Sequence, residues 1–485
     1  MVKVIEHCRV SPPPGTVTEQ SIPITFFDLA WLQLPPVQTL FFYQFPHPKS
    51  HFMDTVIPNL KHSLSLALKH FFPLASNMFI NIPSSISSKP EIRYTEGDSV
   101  SLTFAESSND FNSLIGNHEK NADQFYPLVP QMPANKLCTN VSESIHSTLL
   151  VPLFALQVTL FPNSGVCFGY TLNHITADGV AFISFFKSWA SIAKFGGSDA
   201  KLLETIGSLS LCDRSVVRDP NGIGTIFWRQ IVEDSKHEEL CPTDQHHPPI
   251  NKFRATFVMA KTNIQRLKEL VLVHHRRLNS ATTLAPPFHI SAFTVTCAYI
   301  WICKVKSRTG TATTRAVDKD DDDEYFSVLV DCRERLDPPI PKTYFGNCLM
   351  GCYARAKHSQ LIGEEGFVIA AESIGKAVGE RLHGSGGVLK GMESWLSDYK
   401  RMDQDKMVGL AGSTKISIYE PDFGWGRPQK IEVVSIDLTG AISINECMDS
   451  QGDLEIGVSF PKNTMDAFAS IFIPGLNTLG VRAML

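Results

Sequence analysis

Residues 151–192, VPLFALQVTLFPNSGVCFGYTLNHITADGVAFISFFKSWASI, change period part-way along. Val151–Phe161 and Gly165–Asn173 are apolar runs on either side of Pro162-Asn163-Ser164-Gly165, which predicts a hairpin of two buried strands. From Asp178 the spacing turns helical, with Phe182, Phe185, Trp189 and Ile192 on one stripe. The segment Asn173–Gly179 therefore lies where a buried strand ends and a helix begins, a rigid support for a reactive side chain. His174 there can accept a proton near neutral pH, since an unperturbed imidazole titrates near ~6.5. Asp178, four residues on, stands where a carboxylate caps free N–H groups and favours the positive end of a helix, and Gly179 leaves room for close packing.

Outward from this unit the first 200 residues alternate strand-like and helix-like segments. Phe52–Phe71 has helical spacing around Val56, Leu60, Leu64, Leu68 and Phe71. Lys201–Asn251 shifts to Asp, Ser, Pro, Gly and His and reads as a long exposed crossover. A second α/β-like half resumes near Lys252, with a helical stretch at Thr262–Leu272 and a strand at Tyr325–Val330. The expected organisation is 1–200, a linker over 201–251, and 252–485. Asp318–Glu324 reads as a solvated loop, because acids that close together repel inside a packed element. Gly384-Ser385-Gly386-Gly387 lacks the Gly-Lys-Ser/Thr ending of a phosphate-cradling loop.

Composition excludes several classes. In 485 residues, 43% are apolar and 19% charged, enough to bury a substantial core. A net charge of −5 argues against a sequence-independent nucleic-acid binder. The longest apolar stretch, Leu149–Phe161, falls short of the ~20 residues of a membrane span, and no secretory leader opens the chain. The 11 cysteines form no C-x-x-C frame, as in a cytoplasmic protein with reduced thiols, and Asn140-Val141-Ser142 reads as a chance sequon. His246-His247 and His274-His275 lack matched ligands at zinc spacing, so no metal is expected. A Gly-x-Ser-x-Gly elbow is absent.

Two further motifs accompany His174 and Asp178. Tyr344-Phe345-Gly346-Asn347-Cys348 follows Asp331-Cys332-Arg333-Glu334-Arg335, and Asp422-Phe423-Gly424-Trp425-Gly426 lies beyond. In this order and spacing the three resemble the plant BAHD family of acyl-coenzyme A-dependent acyltransferases, over the whole chain from FFDLAWL near Phe26 to VSFPKNTMDAFA. The YFGNC form, with VKVIEHCRVSPPP and KFRATFV, is similar to the anthocyanin and flavonoid-glucoside branch, above all its aromatic (hydroxycinnamoyl) acyltransferases.

The resemblance implies two chloramphenicol-acetyltransferase-like α/β domains with mixed β-sheets and a channel between them. It further implies a monomer without a permanent cofactor, which takes acyl-coenzyme A and a glycosylated phenolic acceptor. His174 is then the general base, and Asp178 pairs with an arginine, Arg333 first and Arg335 second. Asp422 is either a second acid or, with Gly424, Trp425 and Gly426, loop architecture; Tyr344, Gly346 and Asn347 are structural. Ser413 matches a family position near the channel, and Lys252 and Arg254 are the cations offered to coenzyme phosphates. Malonyl transfer is the alternative chemistry, and a noncatalytic coenzyme A or glycoside binder the alternative class. No cation follows the first motif (Gly179-Val180-Ala181-Phe182), which favours an aromatic donor over malonate. Phe41, Phe42 and Tyr43 either line a pocket for such a donor or are core.

Overall fold

The computed structural model describes residues 1–82, 88–139, 147–196, 210–235, 251–278, 288–309 and 322–482. The predicted hairpin is its centre. Phe154–Phe161 and Gly165–Leu172 pair antiparallel in the register Phe161↔Gly165, with Asn163 in a left-handed conformation at the turn. Every residue of both strands is buried, which is why each reads as a mostly apolar run instead of an alternating one. They belong to a six-stranded mixed sheet in the order Val2–Val10, Val100–Ser107, Phe154–Phe161, Gly165–Leu172, Val37–Gln44, Lys430–Val433. Phe154–Phe161 runs parallel to Val100–Ser107, and the other pairings are antiparallel.

A seven-stranded mixed sheet organises the second half, in the order Leu349–Lys357, Asp323–Asp331, Met407–Ala411, Ile442–Glu446, Leu454–Pro461, Lys252–Met259, Lys120–Asn121. A five-stranded antiparallel sheet lies beside the first. The architecture is thus α/β with mixed sheets in a two-domain-like layout, and the apolar core continues through both halves. Each half lends the other a strand: Lys120–Asn121 pairs with Lys252–Met259, and Lys430–Val433 pairs with Val37–Gln44. Buried charges pin the crossing. Arg254 bonds Asp437 and Glu432, Lys120 lies 3.5 Å from Glu432, and Lys430 reaches Asn117 at 2.8 Å and Glu455 at 3.5 Å.

The Phe52–Phe71 helix is present as Ile57–His70, preceded by a π-helical turn over Phe52–Val56, and Lys261–Leu278 contains the second predicted helix. Two expectations are corrected. The described part of the crossover, 210–235, is not uniformly exposed, because the helix Ile223–Asp234 buries Ile223, Phe227, Trp228 and Ile231. That spacing was masked in sequence by the polar residues on either side. The acidic run ends inside a strand, not in a solvated loop. Glu324 is buried against Arg308 and His358, and Asp323 pairs with Arg355 and Lys357, so cations offset the repulsion. Of the two readings left open for Phe41, Phe42 and Tyr43, burial favours core: all three are fully buried in Val37–Gln44. The sequon, His246-His247 and residues 318–321 lie outside the described residues. Among those described, no helix is long and apolar enough to cross a membrane, and no cluster of three or more His, Cys, Asp or Glu could hold a metal ion.

Candidate active site

His174 sits on a tight turn. The Asn173 N–H donates to the Leu153 carbonyl at 2.9 Å, continuing the sheet pairing by one residue, and the Thr176 N–H returns to the Asn173 carbonyl at 3.0 Å. Asp178 then caps Gly179–Phe195: its backbone is extended, and Oδ1 accepts the Ala181 N–H at 3.0 Å. Phe182, Phe185, Trp189 and Ile192 are buried along this helix, as their spacing predicts.

The Asp178 carboxylate is 1% exposed and fully engaged. Arg333 Nη2 reaches both oxygens, at 3.0 and 2.8 Å, and the Cys348 N–H donates to Oδ2 at 3.0 Å. Arg335 instead donates to the Asp331 carbonyl at 2.9 Å, so Arg333 is the partner. A second buried pair, absent from the sequence reading, lies alongside. Asp28, 0% exposed, accepts from Arg214 Nε at 3.2 Å. The two pairs share one loop. Arg214 donates to the Phe345 carbonyl and Arg333 to the Gly346 carbonyl at 3.0 Å, while the Asn347 N–H goes to Asp28 and the Cys348 N–H to Asp178. Both guanidiniums face the buried Tyr344 ring, 5.4 and 5.8 Å from its centroid. Gly346 has no room for a side chain, since a Cβ there would lie 2.5 Å from Arg214 Nη1. Asn347 closes the arrangement: its Nδ2 donates to Asp28 Oδ1 at 3.0 Å and to the His174 carbonyl at 2.8 Å.

The His174 side of this loop is half-buried. The ring stacks on Trp31 with centroids 4.1 Å apart and planes 11° from parallel, and Trp31 meets Trp395 edge-on. Nδ1 is buried, close to its own carbonyl and the Asn347 side chain, with no well-formed hydrogen bond to either. Burial lowers the pKa of His174, an effect its own backbone carbonyl, Asp178, Asn347 and Asp28 only partly oppose. The lowered pKa favours the neutral imidazole at neutral pH.

The other expected residues divide. Ser413 follows Met407–Ala411 in a loop whose Ile416 covers Gly179, which brings that loop to the same turn. Lys252 and Arg254 belong elsewhere: Lys252 donates to the Asp437 carbonyl, and Arg254 is consumed by Asp437, Glu432 and the Val433 carbonyl in the strand crossing. Arg254, buried and paired with two carboxylates, is not free for a coenzyme phosphate, a role that sequence position alone suggested; half-buried Lys252 uses one donor on the Asp437 carbonyl. A surface depression of about 300 Å³ between Lys252–Met259 and Lys462–Arg482 holds none of the motif residues.

Asp422 is also remote from His174. Its Oδ2 pairs with Lys194 at 2.6 Å, near the far end of the helix that Asp178 caps, roughly 24 Å along at ~1.5 Å per residue. Oδ1 accepts the Gly424 and Gly426 N–H groups at 2.8 and 2.9 Å, and both glycines have left-handed φ, 102° and 91°. Phe423 stacks on Phe168 at 4.5 Å, and Trp425 packs on Phe45 at 5.0 Å. Burial alone would raise the Asp422 carboxyl, but Lys194 and the two amides hold it below the usual range, so it has no proton to give at neutral pH. Asp422→Ala should thus lower stability by about 1–2 kcal/mol and leave kcat of the folded enzyme within about threefold of wild type. A kcat loss of 10²-fold without a change in melting would contradict this.

Asp28, Arg214 and Trp31 were not anticipated. Only Asp28 carried a signal, as the acid of a Thr25-x-x-Asp28 capping box inside an apolar run. Its bonds to Arg214 and Asn347 join residues 186 and 319 positions apart, beyond the reach of local spacing.

Known proteins place this geometry in a lineage. A model of the transferase family matches residues 1–472. The malonyl-coenzyme A:anthocyanin 3-O-glucoside-6''-O-malonyltransferase of Dahlia pinnata is 43% identical, covering 98% of this chain and 97% of its own. Phenolic glucoside malonyltransferase 1 of Nicotiana tabacum is 41% identical over 99% and 100%. The coumaroyl-CoA:anthocyanidin 3-O-glucoside-6''-O-coumaroyltransferase 1 of Arabidopsis thaliana is 34% identical over 98% and 97%. Among solved structures, vinorine synthase superposes with a TM-score of 0.64 at 18% identity, covering 96% of each chain, and supports the fold alone. Matched in this way along nearly its whole length, the chain belongs to the transferase family, as one of its BAHD acyl-coenzyme A-dependent acyltransferases.

Proposed function

We propose that this enzyme moves an acyl group from acyl-coenzyme A to a sugar hydroxyl of a phenolic glucoside, with His174 as the base. The observation that carries this reading is a neutral, half-buried imidazole whose Nδ1 is turned inward, leaving Nε2 for substrate. Nε2 takes the hydroxyl proton as that oxygen attacks the thioester carbonyl. The C–O bond forms, the C–S bond breaks, and the proton passes to the departing thiolate. Both substrates are held together, and no acyl-enzyme forms. The acceptor class is supported by relatives named for anthocyanin and phenolic glucosides. A monomer working in the cytoplasm belongs to the same proposal, consistent with described cysteines that are all free.

For the donor we favour malonyl-coenzyme A, reversing the aromatic expectation. Relatives named for malonyl transfer stand at 43, 41 and 38% identity, with two more at 34 and 33%, and those named for anthocyanidin coumaroyl transfer stand at 34%. The aromatic run that would have lined a coumaroyl pocket is core. The missing cation after Asp178 favours the aromatic donor as second reading. Competition among malonyl-, coumaroyl- and caffeoyl-coenzyme A on an anthocyanidin glucoside, read by product mass, separates them. Malonylated product should dominate; mainly hydroxycinnamoylated product reverses the donor, and no ester product from any donor defeats the acyltransfer reading.

A further inference from the structure

We propose that Asp28 and Arg214 are positioning residues for His174, a second acid–guanidinium pair that fixes its turn alongside Asp178 and Arg333. The proposal rests on the reading of His174 as the base. Two bonds carry it. Arg214 Nη2 holds the Thr176 carbonyl at 3.0 Å, and Asn347 Nδ2 holds the His174 carbonyl at 2.8 Å. The second depends on Asp28. An amide can present either its NH₂ or its oxygen, whereas an ionised carboxylate only accepts. With Asp28 Oδ1 3.0 Å away, Asn347 must turn Nδ2 toward both acceptors, and the flipped amide would set oxygen against oxygen at Asp28 and at His174.

Asp28 is itself over-determined. Oδ2 accepts the Thr25 N–H at 3.0 Å, the Thr25 hydroxyl at 2.7 Å and Arg214, so the carboxylate that orients Asn347 cannot swing away. The chain of control runs from Thr25 through Asp28 and Asn347 to the backbone of His174, and from Arg214 to the same turn two residues later. Asp178 and Arg333 grip the turn from its helical end. A base displaced by about 1 Å from its reacting geometry loses on the order of 10²-fold in rate.

The charges facing His174 supply a readout that a purely structural pair would not move. Asp28 and Asp178 both favour the imidazolium, and each is partnered by an arginine, Arg214 or Arg333. Asp28→Asn keeps the shape and removes a negative charge, so the acid limb of the kcat profile should move to lower pH. Arg214→Gln leaves Asp28 uncompensated, and the limb should move to higher pH. Both variants should lose on the order of 10²-fold in kcat with the donor KM within about twofold of wild type. Asp28→Glu, which restores the charge, should return the limb to its wild-type position.

Opposite displacements of the limb support the proposal. Activity that falls only with the folded fraction, with both limbs unmoved, overturns it, and if one variant does not fold the other decides alone. His174→Ala, measured in parallel, separates the two levels: full turnover there defeats the base assignment itself, whereas a dead His174→Ala beside unmoved limbs defeats only Asp28 and Arg214.

Discussion

Alanine at position 174 is expected to lower kcat by about 10²–10⁴-fold while the melting temperature stays close to wild type. The first half follows from chemistry, since the substitution removes the neutral Nε2, and the two acids nearest this turn among the described residues, Asp178 and Asp28, are buried and saturated with donors. The second half follows from how the residue is held. Asn347 Nδ2 bonds the His174 carbonyl, a contact that survives truncation, and what is lost is the stack on Trp31 and the ring's approach to the Asn347 side chain. Circular-dichroism melting and single-turnover assays check both halves. Rapid mixing with donor alone should release no burst of free thiol; a burst would point to an acyl-enzyme and a different mechanism.

Removing one partner of the Asp178–Arg333 pair should behave in the opposite way, damaging fold and activity together. Both side chains are at most 2% exposed, and deleting either strands the other's charge at a cost of about 3–5 kcal/mol. Asp178→Ala also forfeits the helix cap at Ala181 and the bond from the Cys348 N–H, and Arg333→Ala frees the Gly346 carbonyl. Denaturant midpoints of the two variants should fall by comparable amounts. Wild-type melting with lost activity in Asp178→Ala would instead make this acid a participant in chemistry.

The strand–turn–helix that holds His174 was legible because its signals are local: an eight-residue buried strand is mostly apolar, and the helix repeats every 3.6 residues. Arg333 could be named as the partner of Asp178 only through family resemblance. The pair Asp28–Arg214 was invisible because an acid in an apolar run and an arginine in a polar run look like a cap and a surface charge until the fold joins them. The same blindness misassigned Arg254. A cation on a strand after a crossover is a natural candidate for phosphate, and only tertiary structure reveals two carboxylates already spending it. Nor does pattern alone separate core aromatics from pocket aromatics, because both are apolar and strand-borne, as Phe41 to Tyr43 illustrate.

The exchanged strands have a consequence for traffic through the enzyme. Lys430–Val433 is zipped into the sheet that carries His174, and Lys120–Asn121 into the sheet opposite. A clamshell that gaped to admit a glucoside would have to tear out main-chain pairing at both latches and pull buried ions apart. Parting the two halves is therefore a costly way to admit a substrate, harder than any movement that leaves both latches shut.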